Sequence, residues 1–396
     1  MSTIDSTSSI KIAVIGGGIA GLTCATRLKQ LGLQTVTVFD TGKHTVGGRC
    51  SSRTELVKGV SMTFDHSVQY FTVSDERFQK IVNYLVRDGA ARVWNGPIGI
   101  LQNGKFSAER SPKKAFIGTN GMRSVAQSIA KFCQVQQPVW IGSIQFNDIV
   151  QKWSVDRWGL FDYVVIAHNG KCAARLVENA GVPEIHRLCL TRFSSQLSSK
   201  ENRMTLCSLF VLMVAFERPL GLPYQGAHVQ HENLSWVANN TEKLKSDRPQ
   251  SQSRADQYEC WTIISSKTLG EQNKVPQEHI PPNVASRISH LMLQSFADAT
   301  GMKEKLPDVC FRKLQLWGAG VPINKFSGGT ECVFDAAHKI GICSDWLVSP
   351  CVQGAAISGL ALAETIVQHI NGNKSSTPLQ PHFNPATSPS AIGDFP

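Results

Sequence analysis

From Ile10 to Ile15 the chain is a short, largely apolar and β-branched run, the pattern of a buried parallel strand. After Gly16, Gly17 and Gly18 the period changes: Leu22, Ala25 and Leu28 fall on one helical face, which ends at Gly32. Val36, Val38 and Phe39 then lead into Asp40, completing a strand, helix, strand unit that reaches about Arg53. Further on, Phe78, Ile81, Val82 and Leu85 describe an amphipathic helix over 74–89, followed by a hairpin-like passage with Trp94, Pro97 and Gly104. A helix through Val125 and Ile129 follows Gly121-Met122, with Thr119 or Asn120 as its cap. Two short strands lie within 135–144, interrupted by Pro138, and a hairpin carries Trp153, Val155 and Trp158. The run Asp162 to Ala167 is a buried parallel strand that joins the first two.

Beyond residue 200 the pattern shifts to strands at 206–216, 227–230, 234–239 and 258–265, with a charged loop over 241–256. Pro281-Pro282 opens a long helix with Val284, Ile288, Leu291, Met292, Ser295 and Phe296 facing inward, and a strand follows over 309–317. The spacing predicts an antiparallel sheet with one covering helix. A final strand, 339–342, and a helix from Gly354 through Ala361 and Ile366 return to the first type of pattern.

The glycines of the first unit each have a physical task. Gly16 turns the strand sharply, Gly18 lets a pyrophosphate approach the backbone, and Gly21 lets helix and strand pack closely. Free N–H groups at the helix start, around Ile19 and Ala20, then face the diphosphate. Asp40 stands where a carboxylate accepts hydrogen bonds from a ribose diol and repels a 2′-phosphate. Shortly afterwards Thr45-Val46-Gly47-Gly48-Arg49 adds a second glycine pair and an arginine, and Arg53 follows. A nicotinamide dehydrogenase has no need of that second pair. An extended flavin dinucleotide has more phosphate and ribityl to hold, and arginine offers a planar, permanently charged donor.

These residues carry a resemblance. The Gly-Gly-Arg element, the segment Phe64-Asp65-His66-Ser67-Val68-Gln69-Tyr70-Phe71-Thr72 and the late Ile340-Gly341-Ile342-Cys343-Ser344-Asp345-Trp346-Leu347 resemble the FAD-dependent amine oxidase superfamily, in particular its renalase-like branch of NAD(P)/FAD-dependent oxidoreductases. The resemblance covers most of residues 10–370. It implies an α/β fold in which a three-layer, Rossmann-like FAD-binding domain is interrupted by an inserted α+β substrate domain on an antiparallel sheet. The expected FAD domain is discontinuous, 10–73, 112–200 and 331–372, and the substrate domain is 74–111 with 201–330. Residues 1–9 and the Ser/Pro/Asn-rich 373–396 have little to bury and are expected to be disordered.

By the same resemblance, the strand expected over 64–72 passes the flavin ring, with Gln69 at its polar edge, Tyr70 on the substrate side and Phe71 as flat apolar surface. The Val139 backbone reads the adenine edge, Asp345 accepts from the ribityl chain, and Gln353, Gly354 and Ala355 begin a helix whose N-terminus faces the electron-rich end of the ring. Trp317 is a candidate wall of the active site. Gln69, Tyr70 and Trp317 are expected to line the reaction site and no catalytic base or bridging lysine is assigned. His168 lies at the carboxyl end of its strand, where open α/β sheets place ligands, but reads first as a turn residue. Several positions depart from the relatives: Leu316 and Gly318 around Trp317, Ser344 before the aspartate, and Gln353 in place of a common glutamate. Cys351 is not expected to anchor the flavin covalently.

Composition narrows the picture further. At 396 residues two domains are the natural expectation, and the hydrophobic share of 42% is ordinary. A net charge of +10 permits nucleic-acid or anionic-membrane binding, yet the basic residues are scattered, which favours a solvated surface that draws in anionic substrates. The 11 cysteines form no metal-spacing motif, several sit in apolar runs, and no metal is expected; a reducing, cytoplasmic setting follows. The polar first residues make no signal peptide, and the run 206–216 is too short to span a bilayer. The reading is therefore an FAD-dependent oxidoreductase acting on a small molecule, taking a hydride from an amine or reduced-nicotinamide-like substrate to flavin N5, with O2 as acceptor and H2O2 as product. A flavin desaturase or isomerase of a hydrophobic substrate, and a non-catalytic FAD-binding protein, are the alternatives.

Overall fold

The computed structural model describes residues 9–108, 114–197, 202–245, 257–303, 305–377 and 382–386. Its first sheet has six strands in the order Val333–Asp335, Ile340–Ile342, Tyr163–Ile166, Lys11–Ile15, Thr35–Phe39 and Gln134–Gln136. All neighbours run parallel except the outermost Val333–Asp335. Ile15 sits level with Phe39 on one side and with Ile166 on the other, so the strands end together and their carboxyl edge forms one continuous lip. Such edges are where open α/β sheets bind ligands.

The helix Ile19–Gln30 buries Leu22, Ala25 and Leu28, as its spacing predicts, along with Cys24. It packs against the last helix, Val352–Ile370. Gly359 permits the approach: a Cβ there would sit 2.3 Å from the Ala20 carbonyl oxygen. The two helices therefore meet almost backbone to backbone, which fixes both N-termini over the same lip of the sheet.

The second sheet has eight strands, and one of its inner members, Met204–Phe216, is buried at every position. That explains its uninterrupted apolar sequence: both faces are covered, so no alternation is needed. Val309–Pro322 and Glu259–Ser265 flank it antiparallel. The helix Pro282–Thr300 covers one face with Ile288, Met292 and Phe296. The mixed α/β architecture is the one the alternating periods predict.

Four local expectations are corrected. The excursion over 74–111 does not travel as a unit: Glu76–Arg87 packs on the last helix and on Arg123–Ala130, and Ala91–Val93 pairs with Phe116–Gly118, whereas Ile98–Gln102 and Lys105–Ala108 join the second sheet. Phe78, Val82 and Leu85 find their apolar partners in the core of the first sheet's helices, which is why the split falls between them and the hairpin. The strand expected over 64–72 ends at Asp65, because Gln69 turns its amide back onto the carbonyls of Asp65 and Ser67. Neither Thr119 nor Asn120 caps the helix Arg123–Ala130. Its first N–H groups are satisfied by Asp65, which accepts from the Met122 amide at 2.7 Å, and by Ser52, which accepts from the Arg123 amide at 3.0 Å. Within the tail, Phe383–Pro385 forms a strand against Asn324–Phe326, with Phe383 buried beside Phe326 and Trp346. Residues 1–8, 246–256 and most of 378–396 lie outside the described residues. No helix of the described residues is long and apolar enough to cross a membrane.

Candidate functional site

A cavity of about 410 Å³ opens along the lip of the first sheet. It is lined in succession by Val139, Trp140 and Ile141, by Asp40 and the glycines 16–18, by Gly47, Gly48 and Arg49, and by Trp317, Ser344, Asp345 and Ala355. Its floor is built from two glycine pairs that touch. Gly18 and Gly47 form an isolated parallel bridge, and the Gly47 amide donates to the Gly17 carbonyl at 2.8 Å. Gly18 caps the helix Ile19–Gln30 with no side chain, so the first N–H groups of that helix are left for an external acceptor.

Asp40 is nearly buried at the end of its strand. Its Oδ2 accepts from the Gly17 amide at 2.9 Å and its Oδ1 from the Gly42 amide at 2.8 Å. The carboxylate is thereby locked in place with lone pairs to spare for a diol. The Val139 amide donates to the Asp40 carbonyl at 2.7 Å, so of the Val139 backbone only the carbonyl remains for an adenine amino group.

At the other end, Arg49 bridges two elements. One guanidinium nitrogen meets Asp345 Oδ1 at 2.7 Å and another donates to the Gly320 carbonyl at 3.2 Å. The Ser344 hydroxyl also donates to Asp345 Oδ1. Asp345 Oδ2 has no partner although the residue is buried, and it belongs to the cavity lining. A buried carboxylate oxygen without a donor is costly, and a ligand hydroxyl would satisfy it. This orphaned acceptor, the helix N–H groups and the fixed Asp40 together fit a dinucleotide extended along the lip.

Trp317 forms the wall at this end. Its indole N–H donates to the His66 carbonyl at 2.8 Å and its ring stacks on the His66 imidazole at 5.6 Å with 13° between planes. Burial, and then the charge of Arg53, hold the His66 imidazole down to about 4 against an ordinary 6.5. Between those values the unfolded chain carries a proton that the native state excludes, so this residue's contribution to stability is complete above about pH 6.5 and is lost as pH falls toward 4. The loss is about 3 kcal/mol. His66→Phe, which keeps a flat ring on Trp317, is expected to flatten the pH dependence of urea stability in that window. Equal slopes for variant and wild type would refute the assignment.

Of the sequence-predicted residues, Gly16, Gly18, Ile19, Ala20, Asp40, Gly47, Gly48, Arg49, Val139, Trp317, Asp345 and Ala355 meet in this one cavity. Gly21 lies behind it, where a Cβ would stand 2.0 Å from the Gly16 carbonyl oxygen. Gln69, Tyr70, Phe71, Gln353 and Gly354 do not line it. Gln69 is buried on its own loop, Tyr70 packs against Trp94 and Trp236, and Phe71 stacks on Phe116. Gln353 accepts from the Ser74 and Asp75 amides, which ties the last helix to the segment before Glu76–Arg87, and the Gly354 amide is spent on Cys351 Sγ. Sequence reasoning missed Trp140, Asn169, Cys172, Arg175 and Glu178, and ranked His168 as a turn residue although it lines the cavity. The position of 168–178 immediately after a strand of the first sheet was the available signal.

Residues 14–85 match the family model of the NAD(P)-binding Rossmann-like domain. Among solved structures, reduced UDP-galactopyranose mutase matches with a TM-score of 0.65 at 10% identity, over 94% of this chain and 96% of that one. A putrescine oxidase (a triple mutant from a cofactor-binding redesign) matches at 0.58 and 11% identity, over 91% and 99%. Cyclohexylamine oxidase from Brevibacterium oxydans IH-35A matches at 0.58 and 10%, over 91% and 99%. Over nearly its full length the chain thus shares the fold of these three proteins, two of which are amine-compound oxidases by name.

Proposed function

We propose that this protein is an FAD-dependent oxidoreductase that removes a hydride from a small-molecule donor, an amine or a reduced nicotinamide, with O2 as the final acceptor. The observation that carries the reading is the single lined path from Val139 to Asp345, with the doubled glycine cradle midway and an unpartnered buried carboxylate oxygen at its far end. A nicotinamide-only site needs the first glycine turn and Asp40, and leaves the Gly47-Gly48-Arg49 arm and the Asp345 oxygen without a task.

In this reading the glycine turns and the helix N-terminus hold the diphosphate, Asp40 holds the adenosine ribose, and Asp345 orients the ribityl chain. Arg49 aims Asp345 while pinning the Gly320 segment of the second sheet over the site. Trp317 and His66 exclude water from one side. FAD held by these residues would supply the two-electron redox chemistry, with oxygen as the acceptor in this reading. No group of the chain is required as an obligatory base, since hydride transfer demands alignment above all.

Purified protein is expected to carry, or to take up, one yellow flavin per chain, and anaerobic addition of the right donor from a panel of amines and reduced nicotinamides is expected to bleach it. Protein that neither carries nor binds FAD would end this reading. The second reading, an isomerase on the same cofactor, draws support from the likeness to the mutase. It predicts conversion of substrate with no stoichiometric peroxide, which a coupled peroxidase assay reads directly.

A further inference from the structure

Beside the Trp317 end of the cavity stands a group of cations that the fold does not explain. Lys274 Nζ lies 3.1 Å from the centre of the Phe193 ring, and Lys171 Nζ lies 5.8 Å from the centre of the same ring. One aromatic ring thus gathers two ammonium groups, which repel each other. Lys171 and Arg175 also stand four residues apart on the helix Gly170–Val177, a like-charge spacing that weakens a helix. None of the three makes an ion pair or side-chain hydrogen bond with the described residues. Acids stand near but none closes an ion pair with these cations among the described residues: Glu271 accepts from the amide and hydroxyl of Ser195 and acts on Lys274 only through space, Glu278 acts at a distance on Cys172, and Glu178 lines the cavity three residues after Arg175. Burial first, and Lys171 next, bring the Lys274 amine down to about 8.

The group is joined to the cavity at two points. Asn169, which caps the Gly170–Val177 helix and lines the cavity, donates to the Ala319 carbonyl, and Cys172 and Arg175 line the cavity themselves. Gln277, three residues after Lys274, accepts from the Gly318 amide next to Trp317. Gly318, having no Cβ, lets Gln277 pack against this strand. A Cβ there would press on the Gln277 side chain at 3.1 Å.

We infer that this rim, Lys171 and Lys274 with Arg175 inside the mouth, receives an anionic group of the substrate, a carboxylate or a phosphate, and that the enzyme discriminates against amine dications. The inference rests on the FAD reading for the identity of the cavity. It narrows the donor from amines in general to molecules that carry negative charge near the reacting end. An unpaired ammonium pair steers anions inward and opposes cations by the same field.

The test uses protein loaded with FAD, so that flavin binding, read from its visible spectrum, reports on the proposed function separately. Inorganic pyrophosphate is titrated while the flavin spectrum and calorimetric heat are followed, and putrescine is titrated as the cationic control. Pyrophosphate is expected to bind, more weakly as salt rises, and to bind at least about tenfold more weakly to the double variant Lys171→Glu/Lys274→Glu. Lys171→Arg/Lys274→Arg is expected to retain it. Lys171 is exposed and Lys274, though its ammonium rests on the Phe193 ring, belongs to the surface and not to the core, so the charge-reversed protein should keep its melting temperature and flavin spectrum. Pyrophosphate affinity that is absent in the loaded wild type or unchanged by charge reversal, or putrescine binding more tightly than pyrophosphate, would overturn the inference.

Discussion

Lys243→Met is expected to destabilise the protein by about 3–5 kcal/mol, the cost of leaving a buried charge uncompensated. Lys243 and Asp65 are both wholly buried and meet at 2.7 Å, with angles outside those of a good hydrogen bond. The Lys243 ammonium also lies 5.3 Å from the Trp94 ring, and burial lowers its basicity, opposed by Asp65. Asp65 is where the two sheets are tied. Its Oδ1 accepts from Ser52 and from the Met122 amide, its carbonyl accepts from Gln69 and Thr262, and its amide donates to Asn240. Removing the cation strands Oδ2 at the centre of that network. The double variant Lys243→Met/Asp65→Asn should recover a large part of the loss, because a neutral amide needs no counter-charge while its oxygen can still accept. Urea denaturation of the wild type, both single variants and the double variant measures the coupling. A Lys243→Met loss below about 1 kcal/mol would mean that water already reaches the pair.

That pair also marks the limit of what the sequence discloses. Local signals are strong where one residue type has one geometric use: the glycines 16, 18 and 21, Asp40, and residues 206–216 of the strand Met204–Phe216 are all readable because turn sterics and two-sided burial leave little choice. Lys243 reads as part of a charged loop, and only the three-dimensional proximity of Asp65, 178 positions earlier (243 minus 65), shows that it is buried. The same holds for Gln69 and Tyr70. Their segment resembles one that passes a flavin ring, yet here the Gln69 amide closes its own loop and Tyr70 joins an aromatic cluster with Trp94 and Trp236. Side-chain direction after a strand ends is decided by partners far along the chain, and periodicity carries no record of them.

Gly18→Ala is expected to leave the empty protein as stable as the wild type and to weaken FAD binding by roughly ten- to a hundredfold, whereas Gly21→Ala should damage the fold itself. The contrast follows from what each new methyl group would meet. Gly18 has an ordinary φ of −77° and ψ of 179°, and a Cβ there would find only the Gly47 carbonyl oxygen, at 3.9 Å. Nothing in the protein demands glycine at that position, and alanine even restricts the unfolded chain a little. The demand comes from the ligand, since the methyl would take the space through which a diphosphate reaches the helix N–H groups, at an overpacking cost of about 1–3 kcal/mol. At Gly21 the added Cβ would lie 2.0 Å from the Gly16 carbonyl oxygen and 2.9 Å from the Ala167 Cβ, so the first turn has to move away from the neighbouring strand. Thermal melts with and without FAD separate the cases. Gly18→Ala should match the wild type when empty and lose the upward shift that the ligand confers, and Gly21→Ala should melt early in both conditions. A Gly18→Ala protein that binds FAD with wild-type affinity would move the diphosphate away from these glycines, and the assignment of the whole cavity would go with it.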